Sequence, residues 1–426
     1  MKSILIRRLR ITFILFLVVH LAAAQTIQLN TKSDHVDYER LARIDTMING
    51  YIKSNWIKGV VTIIVQDNKV VQHKAYGYAN EASKTMMQPD QLFRIASQTK
   101  AITSAGIMIL YEQGKILLDA PVYRYIPEFR NMNVLDKFNA DDTTYTTVPA
   151  KRAVTIRDLL THTSGLDYPG IGSSDMQAIY AKEGITAGFD MHPKNQSLGD
   201  AMKKLAALPL IHQPGERWTY GLNTDLLGYL IEVVSGQNLS DFLTTNIFEP
   251  LGMKDTYFNV PAAKAKRLAT VYTEDSLYKV IEWNNSELPV SPDYPLIKKD
   301  YFSGGADLTS TAFDYAIFMQ MMLNKGKYNG YQILSPRTVE MMTSSQMDFH
   351  FSGTNDFGLG FEIVTETGGA RGPRNEGSFA WGGYFGTTYW ADPKAKLVCL
   401  IMTQQSPNSH GDLSAKFQNM VYASMK

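Results

Sequence analysis

Apolar residues near the start of the chain recur at the spacing of one helix face. They are Leu41, Ile44, Met47, Ile48, Tyr51 and Ile52. This spacing predicts an amphipathic helix over residues 37–54. Directly after it, the run from Gly59 to Val71 is apolar on both sides of Asp67-Asn68, which predicts two strands joined by a tight turn.

A second helix is predicted after Ser97, where small and apolar residues dominate up to Gly114. The apolar positions are not confined to one face, as expected for a helix that is buried on all sides. Gly114 is a suitable residue for the turn that ends such a helix. We therefore expect a buried helix that begins at Ser97.

The later part of the chain returns to strand patterns only near its end. Residues 357–364, 386–392 and 396–402 have the apolar and aromatic character of strands, and a last helix is predicted over about 413–424. Residues 115–300 predict mostly helical segments with Pro-rich connections. This order predicts an α/β fold of the α+β type. One antiparallel sheet is built from the N- and C-terminal strands and flanked by helices, with a mostly helical middle region.

The first residues have the three parts of a secretion signal. Basic residues come first, followed by the apolar run of residues 11–21 and then by Ala22-Ala23-Ala24. We expect residues 1–24 to be removed as a signal peptide and the protein to be exported, either periplasmic or secreted. The apolar run is short for a membrane span, so the alternative of an uncleaved anchor is less favoured, and no stable span is expected after cleavage.

The net charge gives no reason to expect a nucleic-acid partner. The whole chain carries a formal charge of +1, and removal of residues 1–24 would leave about −3. Because Cys399 is the one cysteine, no internal disulfide is expected, and a core drawn from a chain that is 44% hydrophobic must stabilise the fold. No linker, repeat or charge block divides the sequence, so we expect residues 25–426 to form a single domain.

Ser97 and Lys100, at the head of the second predicted helix, are the strongest candidates for chemistry. A serine hydroxyl is a useful nucleophile only when a base takes its proton, and a lysine three residues later lies on the same helix face. The N–H groups of a helix that begins there favour negative charge at the reaction site. The same spacing recurs at Ser276 and Lys279, but the residues around them predict a strand or a loop.

Three further segments follow Ser97 along the chain. They are Thr161-His162-Thr163-Ser164-Gly165-Leu166, then Pro214-Gly215-Glu216-Arg217-Trp218-Thr219-Tyr220 with its continuation to Gly228, and finally Trp381-Gly382-Gly383-Tyr384. Together with Ser97 and Lys100 they resemble the serine β-lactamase and penicillin-binding protein superfamily, above all its class C β-lactamase branch with the family VIII carboxylesterases. The resemblance covers essentially all of the chain after residue 24, and it implies the β-lactamase/transpeptidase-like fold.

The resemblance implies a catalytic role for three residues. Ser97 matches the serine that is acylated, and Lys100 matches the lysine that shares its proton. Tyr220 matches the tyrosine that works with this lysine as general base and then as acid to the leaving group. A tyrosine is a poor base unless a cation stabilises its phenolate, and Lys100 is the nearest candidate cation.

The resemblance also implies a substrate-binding segment at Trp381-Gly382-Gly383, where β-lactamases have Lys-Thr-Gly. By the same match, the backbone N–H groups of Ser97 and Tyr384 form the oxyanion hole. The positive charge of that lysine attracts a substrate carboxylate. Trp381 offers stacking and apolar area instead. This difference favours esters and neutral acyl donors.

Four other residues near these motifs are candidates for supporting roles. The family's tyrosine motif usually has Asn two residues on, where this chain has Leu222, followed by Asn223. Either the turn shifts to present Asn223, or no amide reaches the substrate, so Asn223 is not placed in the catalytic set. Arg371 and Arg374 are candidates to return a positive charge to the site. We interpret His162 as a structural residue hydrogen-bonded in a turn, rather than as a base.

From these residues we predict a serine hydrolase that forms an acyl-enzyme on Ser97 and acts on ester or amide carbonyls, with carboxylesterase as the first choice. One alternative keeps the mechanism and changes the substrate, giving a β-lactamase or a peptidase for D-amino-acid peptides. An acyltransferase and a non-catalytic protein that binds penicillin or a cell-wall ligand are further alternatives. The expected partner is therefore a small ester, β-lactam or peptide. No metal or cofactor is expected, because no metal-ligand or phosphate-loop motif occurs.

Overall fold

The computed structural model describes residues 26–29, 31–186, 197–283 and 291–426. The predicted signal peptide, residues 1–24, lies outside these ranges. The helices are α1 (Tyr38–Leu41), α2 (Arg43–Lys53), α3 (Thr99–Glu112), α4 (Ile156–Leu160), α5 (Ser174–Lys182), α6 (Leu198–Leu205), α7 (Asn223–Ser235), α8 (Leu239–Leu243), α9 (Glu249–Leu251), α10 (Ala312–Leu323), α11 (Pro336–Met342), α12 (Glu366–Arg371) and α13 (Leu413–Ala423). The strands are β1 (Gly59–Gln66), β2 (Lys69–Asn80), β3 (Thr85–Met86), β4 (Phe93–Arg94), β5 (Asn133–Phe138), β6 (Tyr145–Pro149), β7 (Tyr272–Glu274), β8 (Val280–Glu282), β9 (Thr309–Ser310), β10 (Lys327–Tyr328), β11 (Tyr331–Gln332), β12 (Asp356–Phe357), β13 (Glu362–Ile363), β14 (Phe379–Gly383), β15 (Thr387–Asp392) and β16 (Leu397–Met402).

An eight-stranded antiparallel sheet forms the centre of the fold, in the order β12-β13-β14-β15-β16-β1-β2-β3. Its middle is the pairing of β1 with β16, in a register that runs from Val61↔Met402 to Gln66↔Leu397. Both strands are buried along their whole length, as expected for apolar strands that are covered on both faces. The predicted antiparallel sheet built from both ends of the chain is confirmed.

Different helices cover the two faces of this sheet. On one face, Ile48 of α2 and Phe417 of α13 pack with Ile64 of β1. On the other face, Met319 of α10 belongs to the larger core that contains Ile63 of β1 and the whole inner side of α3. Successive residues of β1 point to opposite faces, so a single strand contributes to both cores.

Most predictions for the two ends of the chain are confirmed. The predicted helix over residues 37–54 is present as α1 and α2, and Asp67-Asn68 form the turn between β1 and β2, with left-handed φ angles of 50° and 63°. The single strand predicted over residues 357–364 is wrong. Its ends form the short strands β12 and β13, because the chain reverses between them, where Gly360 has a φ of 95°.

The middle region contains helices α4 to α9, as predicted, and two hairpins that the sequence prediction missed. The hairpins are β5–β6 and β7–β8, and β6 is exposed throughout, so it lacks the buried alternation that identifies a strand. Ser276 and Lys279 lie in the exposed turn of β7–β8, which agrees with the predicted strand or loop. Strand β9 follows the middle region and pairs with β4, which lies just before Ser97. This pairing places the end of the middle region next to Ser97.

Candidate active site

Ser97 lies in a tight turn between β4 and α3. A 3-10 turn, Ala96–Gln98, leads into α3, which starts at Thr99, two residues later than the sequence predicts. Ala96 has a φ of 42°, a left-handed conformation that costs a residue other than glycine about 1–2 kcal/mol. The turn therefore stores strain directly before the serine hydroxyl.

A side chain from the end of the central sheet holds the start of this turn. Gln404 follows β16, and its side chain accepts a hydrogen bond from the Arg94 backbone N–H at 3.0 Å and donates one to the Arg94 carbonyl at 3.0 Å. The Arg94 guanidinium is itself buried and donates to the Ala269 carbonyl at 2.7 Å. These bonds fix the backbone that enters the turn and compensate for the strain at Ala96.

Ser97, Lys100 and Tyr220 converge at one point. The Tyr220 hydroxyl donates a hydrogen bond to Ser97 Oγ at 2.6 Å, and Lys100 Nζ donates to the same oxygen at 3.3 Å. Lys100 Nζ also lies 4.6 Å from the centre of the Tyr220 ring. The structure thus brings together a hydroxyl and a phenol that are 123 positions apart in the sequence.

Lys100 is held in a buried site and is only 2% exposed. Its Nζ donates to the Gly305 carbonyl at 2.7 Å and lies 5.5 Å from the centre of the Tyr168 ring. Tyr168 stacks on Tyr220 with the ring centres 5.5 Å apart. Burial holds the pKa of Tyr168 well above its usual value, so this phenol is neutral. A carbonyl and two aromatic faces therefore keep the ammonium in place beside Ser97.

Strand β14 forms the opposite wall of the site. A Cβ built on Gly383, at its end, would lie 2.3 Å from the Ile95 carbonyl oxygen, so only glycine allows β14 to approach the turn that carries the serine. A cleft of about 500 Å³ lies between the two walls. The predicted site residues that line it are Ser97, Tyr220, Trp381, Gly382, Gly383 and Tyr384.

Two aromatic residues that line the cleft, Tyr220 and Trp381, belong to a larger aromatic cluster. The Trp381 ring centre lies 5.8 Å from that of Tyr220 and 5.4 Å from that of Phe357. Trp218 and Phe351 extend the same cluster at 6.3 Å and 6.2 Å from Trp381. Trp381 is half-buried, so it contributes to the core with one part of its ring and presents the other to the cleft.

His162 and Asn223 lie behind the site rather than in it. Asn223 Nδ2 donates to His162 Nδ1 at 2.9 Å, and the Ser164 hydroxyl donates to Asn223 Oδ1. Burial, helped by the positive charge of Lys100, holds the pKa of His162 well below its usual value, so the ring is neutral. This arrangement agrees with the structural interpretation of His162. Asn223 is fully buried, where it hydrogen-bonds to His162 and Ser164, and it does not line the cleft.

Comparison with known proteins assigns this arrangement to a family. A family model described as Beta-lactamase matches residues 44–421, a range that includes every residue of the site. The chain belongs to the Beta-lactamase family.

Individual relatives narrow the branch of the Beta-lactamase family. The protein Rv1367c of Mycobacterium tuberculosis (strain ATCC 25618 / H37Rv) is 35% identical over 372 residues, which cover 84% of this chain and 88% of the relative. Esterase EstB of Burkholderia gladioli is 29% identical over 401 residues, which cover 90% and 95%. Among solved structures, EstCE1, described as a hydrolase with promiscuous acyltransferase activity, matches with a TM-score of 0.79 and 26% identity over 90% of this chain and 99% of that chain. The chain is a serine hydrolase of the β-lactamase fold, and its neighbours support the esterase-like branch.

One of the two candidate arginines reaches the cleft of this Beta-lactamase family member. Arg374 lines it and donates from Nη2 to Glu362 Oε1 at 3.3 Å. Glu362 lines the same cleft, so the positive charge of Arg374 is balanced there by the negative charge of Glu362. Arg371 ends α12 as an exposed residue and does not line the cleft.

Sequence reasoning missed three residues that surround Lys100, namely Tyr168, Asp225 and Gly305. Asp225 is fully buried, and burial raises the pKa of its carboxyl, an effect that the Lys100 charge opposes. Two of the three had a signal in the sequence, because Tyr168 lies two residues after one family motif and Asp225 lies within the continuation of the Tyr220 motif. Gly305 belongs to no motif that the sequence analysis recognised, so only the fold could identify it.

The described ranges contain neither a cluster of metal-ligating side chains nor a candidate membrane span. No three His, Cys, Asp or Glu side chains in these ranges lie close enough together to hold a metal ion. None of the helices there combines the length and the apolar character that a membrane span requires.

Proposed function

We propose that this protein is an exported carboxylesterase that works through an acyl-enzyme on Ser97. The observation that carries the proposal is the 2.6 Å contact between the Tyr220 hydroxyl and Ser97 Oγ, with Lys100 Nζ 3.3 Å from the same oxygen. A serine hydroxyl in contact with a base and a cation is prepared to act as a nucleophile.

Acylation begins when Ser97 Oγ attacks the ester carbonyl carbon and its proton passes to the Lys100–Tyr220 pair. The backbone N–H groups of Ser97 and Tyr384 donate hydrogen bonds to the developing oxyanion, and one such donor is worth about 3 kcal/mol. The bond between the carbonyl carbon and the alcohol oxygen then breaks. Tyr220 returns a proton to that oxygen, so the alcohol leaves in neutral form.

Deacylation repeats these steps with water as the nucleophile. Tyr220 takes a proton from the water as its oxygen attacks the acyl carbon, and Ser97 Oγ leaves and regains a proton. The products are the free acid and the resting enzyme. An alcohol or amine that replaces water would give acyl transfer, and the description of EstCE1 supports this reaction as a second candidate.

The lining of the cleft favours esters over substrates that carry a carboxylate. Trp381 offers apolar area where β-lactamases have a lysine, and its neighbour Tyr220 also lines the cleft. The cation that does line the cleft, Arg374, already interacts with Glu362. Esterase EstB, at 29% identity over nearly the full chain, agrees with this preference.

Substrate preference tests this proposal through Trp381. We expect the protein to hydrolyse a short-chain nitrophenyl ester with a kcat/KM at least tenfold above that for a chromogenic cephalosporin. Trp381→Lys is expected to reduce this ratio about tenfold, because the new ammonium attracts the cephalosporin carboxylate. Steady-state kinetics of both substrates with wild type and variant give the two ratios.

Trp381→Phe is the matched control, because it keeps an aromatic ring at this position and is expected to leave the ratio within about threefold of wild type. A wild-type protein that prefers the cephalosporin is a β-lactamase instead, and one that prefers a D-amino-acid peptide is a peptidase. An adduct on Ser97 that never turns over identifies a binding protein.

Export is the remaining part of the proposal, and it rests on the basic, apolar and small-residue segments of residues 1–24. When the full chain is expressed in a Gram-negative bacterium, we expect a periplasmic protein whose intact mass corresponds to a chain that begins at Gln25. Replacement of Ala22 and Ala24 by large residues is expected to block this cleavage. Recovery of the uncleaved full-length chain in the cytoplasm would contradict export.

A further inference from the structure

Four charged side chains are buried at the floor of the site, namely Lys100, Asp225, Lys299 and Asp307. Two of them form a direct ion pair, since Lys299 Nζ lies 2.5 Å from Asp307 Oδ1 and both side chains are at most 6% exposed. Lys100 and Asp225 are the other two charges. The reaction steps above use Lys100 but give no task to Asp225.

Asp225 extends from the first turn of α7 towards the lysine. Its Oδ1 accepts a hydrogen bond from the Ser303 hydroxyl, and its Oδ2 makes no hydrogen bond within the part of the chain that the structure describes. A Cβ built on Gly305 would lie 2.5 Å from Asp225 Oδ2 and 3.4 Å from Lys100 Nζ. Because residue 305 has no side chain, the carboxylate and the ammonium border the same small space.

Other titratable groups around this space are neutral or paired. They are His162 and Tyr168 after α4, and Lys299, Tyr301 and Asp307 before β9. The remaining neighbour is Tyr220, whose ring centre lies 4.6 Å from Lys100 Nζ. Burial holds the pKa of His162 well below its usual value and the pKa values of Tyr168 and Tyr301 well above theirs. Since Lys299 and Asp307 bind each other, the Asp225 carboxyl is the acidic group that faces Lys100 without an ion-pair partner among the described residues. Burial raises the pKa of this carboxyl, and the charge of Lys100 opposes that effect.

An anion at this position favours the charged form of the lysine, because opposite charges attract strongly in a buried site. The Lys100–Tyr220 pair shares one proton in its reactive form, and either group is able to hold it. With the proton on Lys100, the buried ammonium is balanced by Asp225, and Tyr220 is left as a phenolate next to the Ser97 hydroxyl. With the proton on Tyr220, Asp225 is a buried carboxylate without a counter-charge.

On the basis of the proposed hydrolase function, we propose that Asp225 is a positioning residue for the reaction, one that keeps the shared proton on Lys100. In acylation the Ser97 proton then passes to the Tyr220 oxygen, and the same oxygen returns it to the leaving alcohol. Lys100 remains an ammonium throughout and stabilises the phenolate. Asp225 touches neither the substrate nor Ser97 and acts through Lys100 alone.

Asp225→Asn tests this inference, because the amide has the shape of the carboxylate and still accepts from Ser303 but carries no charge. We expect kcat/KM for a nitrophenyl ester to fall about tenfold to a hundredfold, since the pair becomes a weaker base. We also expect the acid limb of its pH profile to move about one unit or more to lower pH, because loss of the anion lowers the proton affinity of the pair. A purely structural role lowers the rate without moving this limb.

The double variant Lys299→Met/Asp307→Asn is the matched control, because it removes the neighbouring buried ion pair and leaves Asp225 and Lys100 intact. Its acid limb is expected to coincide with that of wild type even if its thermal stability changes. Should Asp225→Asn fail to fold, as judged by circular dichroism, Asp225→Ser removes the same charge and leaves space for water. The limb of Asp225→Ser is expected to move in the same direction.

The outcomes separate this inference from the proposed function. If a fluorophosphonate labels Ser97 in the wild type and the acid limb of a folded Asp225 variant stays in place, the role of Asp225 is refuted and the hydrolase proposal stands. If Ser97 is neither labelled nor needed for ester hydrolysis in the wild type, the proposed function itself fails. A shifted limb in the folded variant with an unshifted control supports the role of Asp225.

Discussion

Ser97→Ala is expected to lower kcat/KM for a short-chain nitrophenyl ester by about 10⁴-fold or more. The variant keeps the cleft, the Lys100–Tyr220 pair and both backbone N–H donors, and it lacks only the oxygen that attacks the carbonyl carbon. Residual hydrolysis then depends on direct attack by water. Steady-state kinetics measure the loss, and intact mass after treatment with a fluorophosphonate tests the nucleophile directly. One phosphonyl adduct is expected on the wild type and none on the variant.

Ser276→Ala is a matched control for this experiment, since Ser276 has the same Ser-x-x-Lys spacing but lies in the exposed turn of β7–β8. It is expected to keep full activity and to be labelled at Ser97 like the wild type. Wild-type turnover that survives Ser97→Ala would contradict the acyl-enzyme proposal. A labelled wild type with no turnover of any ester, cephalosporin or peptide would indicate a protein that binds these ligands without hydrolysing them.

Tyr220→Phe is expected to lower kcat/KM by about 10²–10⁴-fold. The change removes the oxygen that lies 2.6 Å from Ser97 Oγ and leaves the ring that packs against Tyr168 and Lys100. The loss is expected to be smaller than for Ser97→Ala, because the serine oxygen remains and Lys100 Nζ stays within reach of it at 3.3 Å. Kinetics with leaving groups of different basicity measure the second task of Tyr220, and the loss is expected to grow as the alcohol becomes more basic.

Tyr384→Phe is the control for Tyr220→Phe, because it removes the phenol oxygen from another tyrosine that lines the cleft. It keeps the backbone N–H that we propose for the oxyanion hole, so its kcat/KM is expected to stay within about threefold of wild type. Equal losses for both substitutions would show that the phenol oxygen of Tyr220 has no special task. Equal thermal stability of wild type and Tyr220→Phe is expected, and it separates a chemical loss from a folding defect.

The central sheet was predictable because its strands are marked locally. β1 and β16 are continuous apolar runs, and α2 and α13 have apolar spacings that require no knowledge of a partner. The hairpin β5–β6 was missed because most of its residues are exposed. The hairpin β7–β8 and the reversal between β12 and β13 were missed because these strands are only two or three residues long. Such elements depend on neighbours far along the chain more than on their own residues.

The candidate catalytic residues were also predictable, because each lies in a short motif with a chemical purpose. Ser97, Lys100, Tyr220 and Trp381 could be named before any distance was known. Their arrangement, however, depends on backbone details that have no local signal. Ala96 adopts a left-handed conformation, and the approach of β14 to the serine turn requires glycine at position 383.

The sequence by itself determined the family, the order of the site residues and a sheet formed from both ends of the chain, because periodic apolar runs and short motifs are local properties. Only the tertiary structure decided that Asn223 is buried on His162, that Arg374 enters the cleft together with Glu362, and that Asp225 faces Lys100. These facts concern contacts between residues that are distant in the sequence. Such contacts depend on how helices and strands pack, and the burial and pairing of a charge follow from that packing.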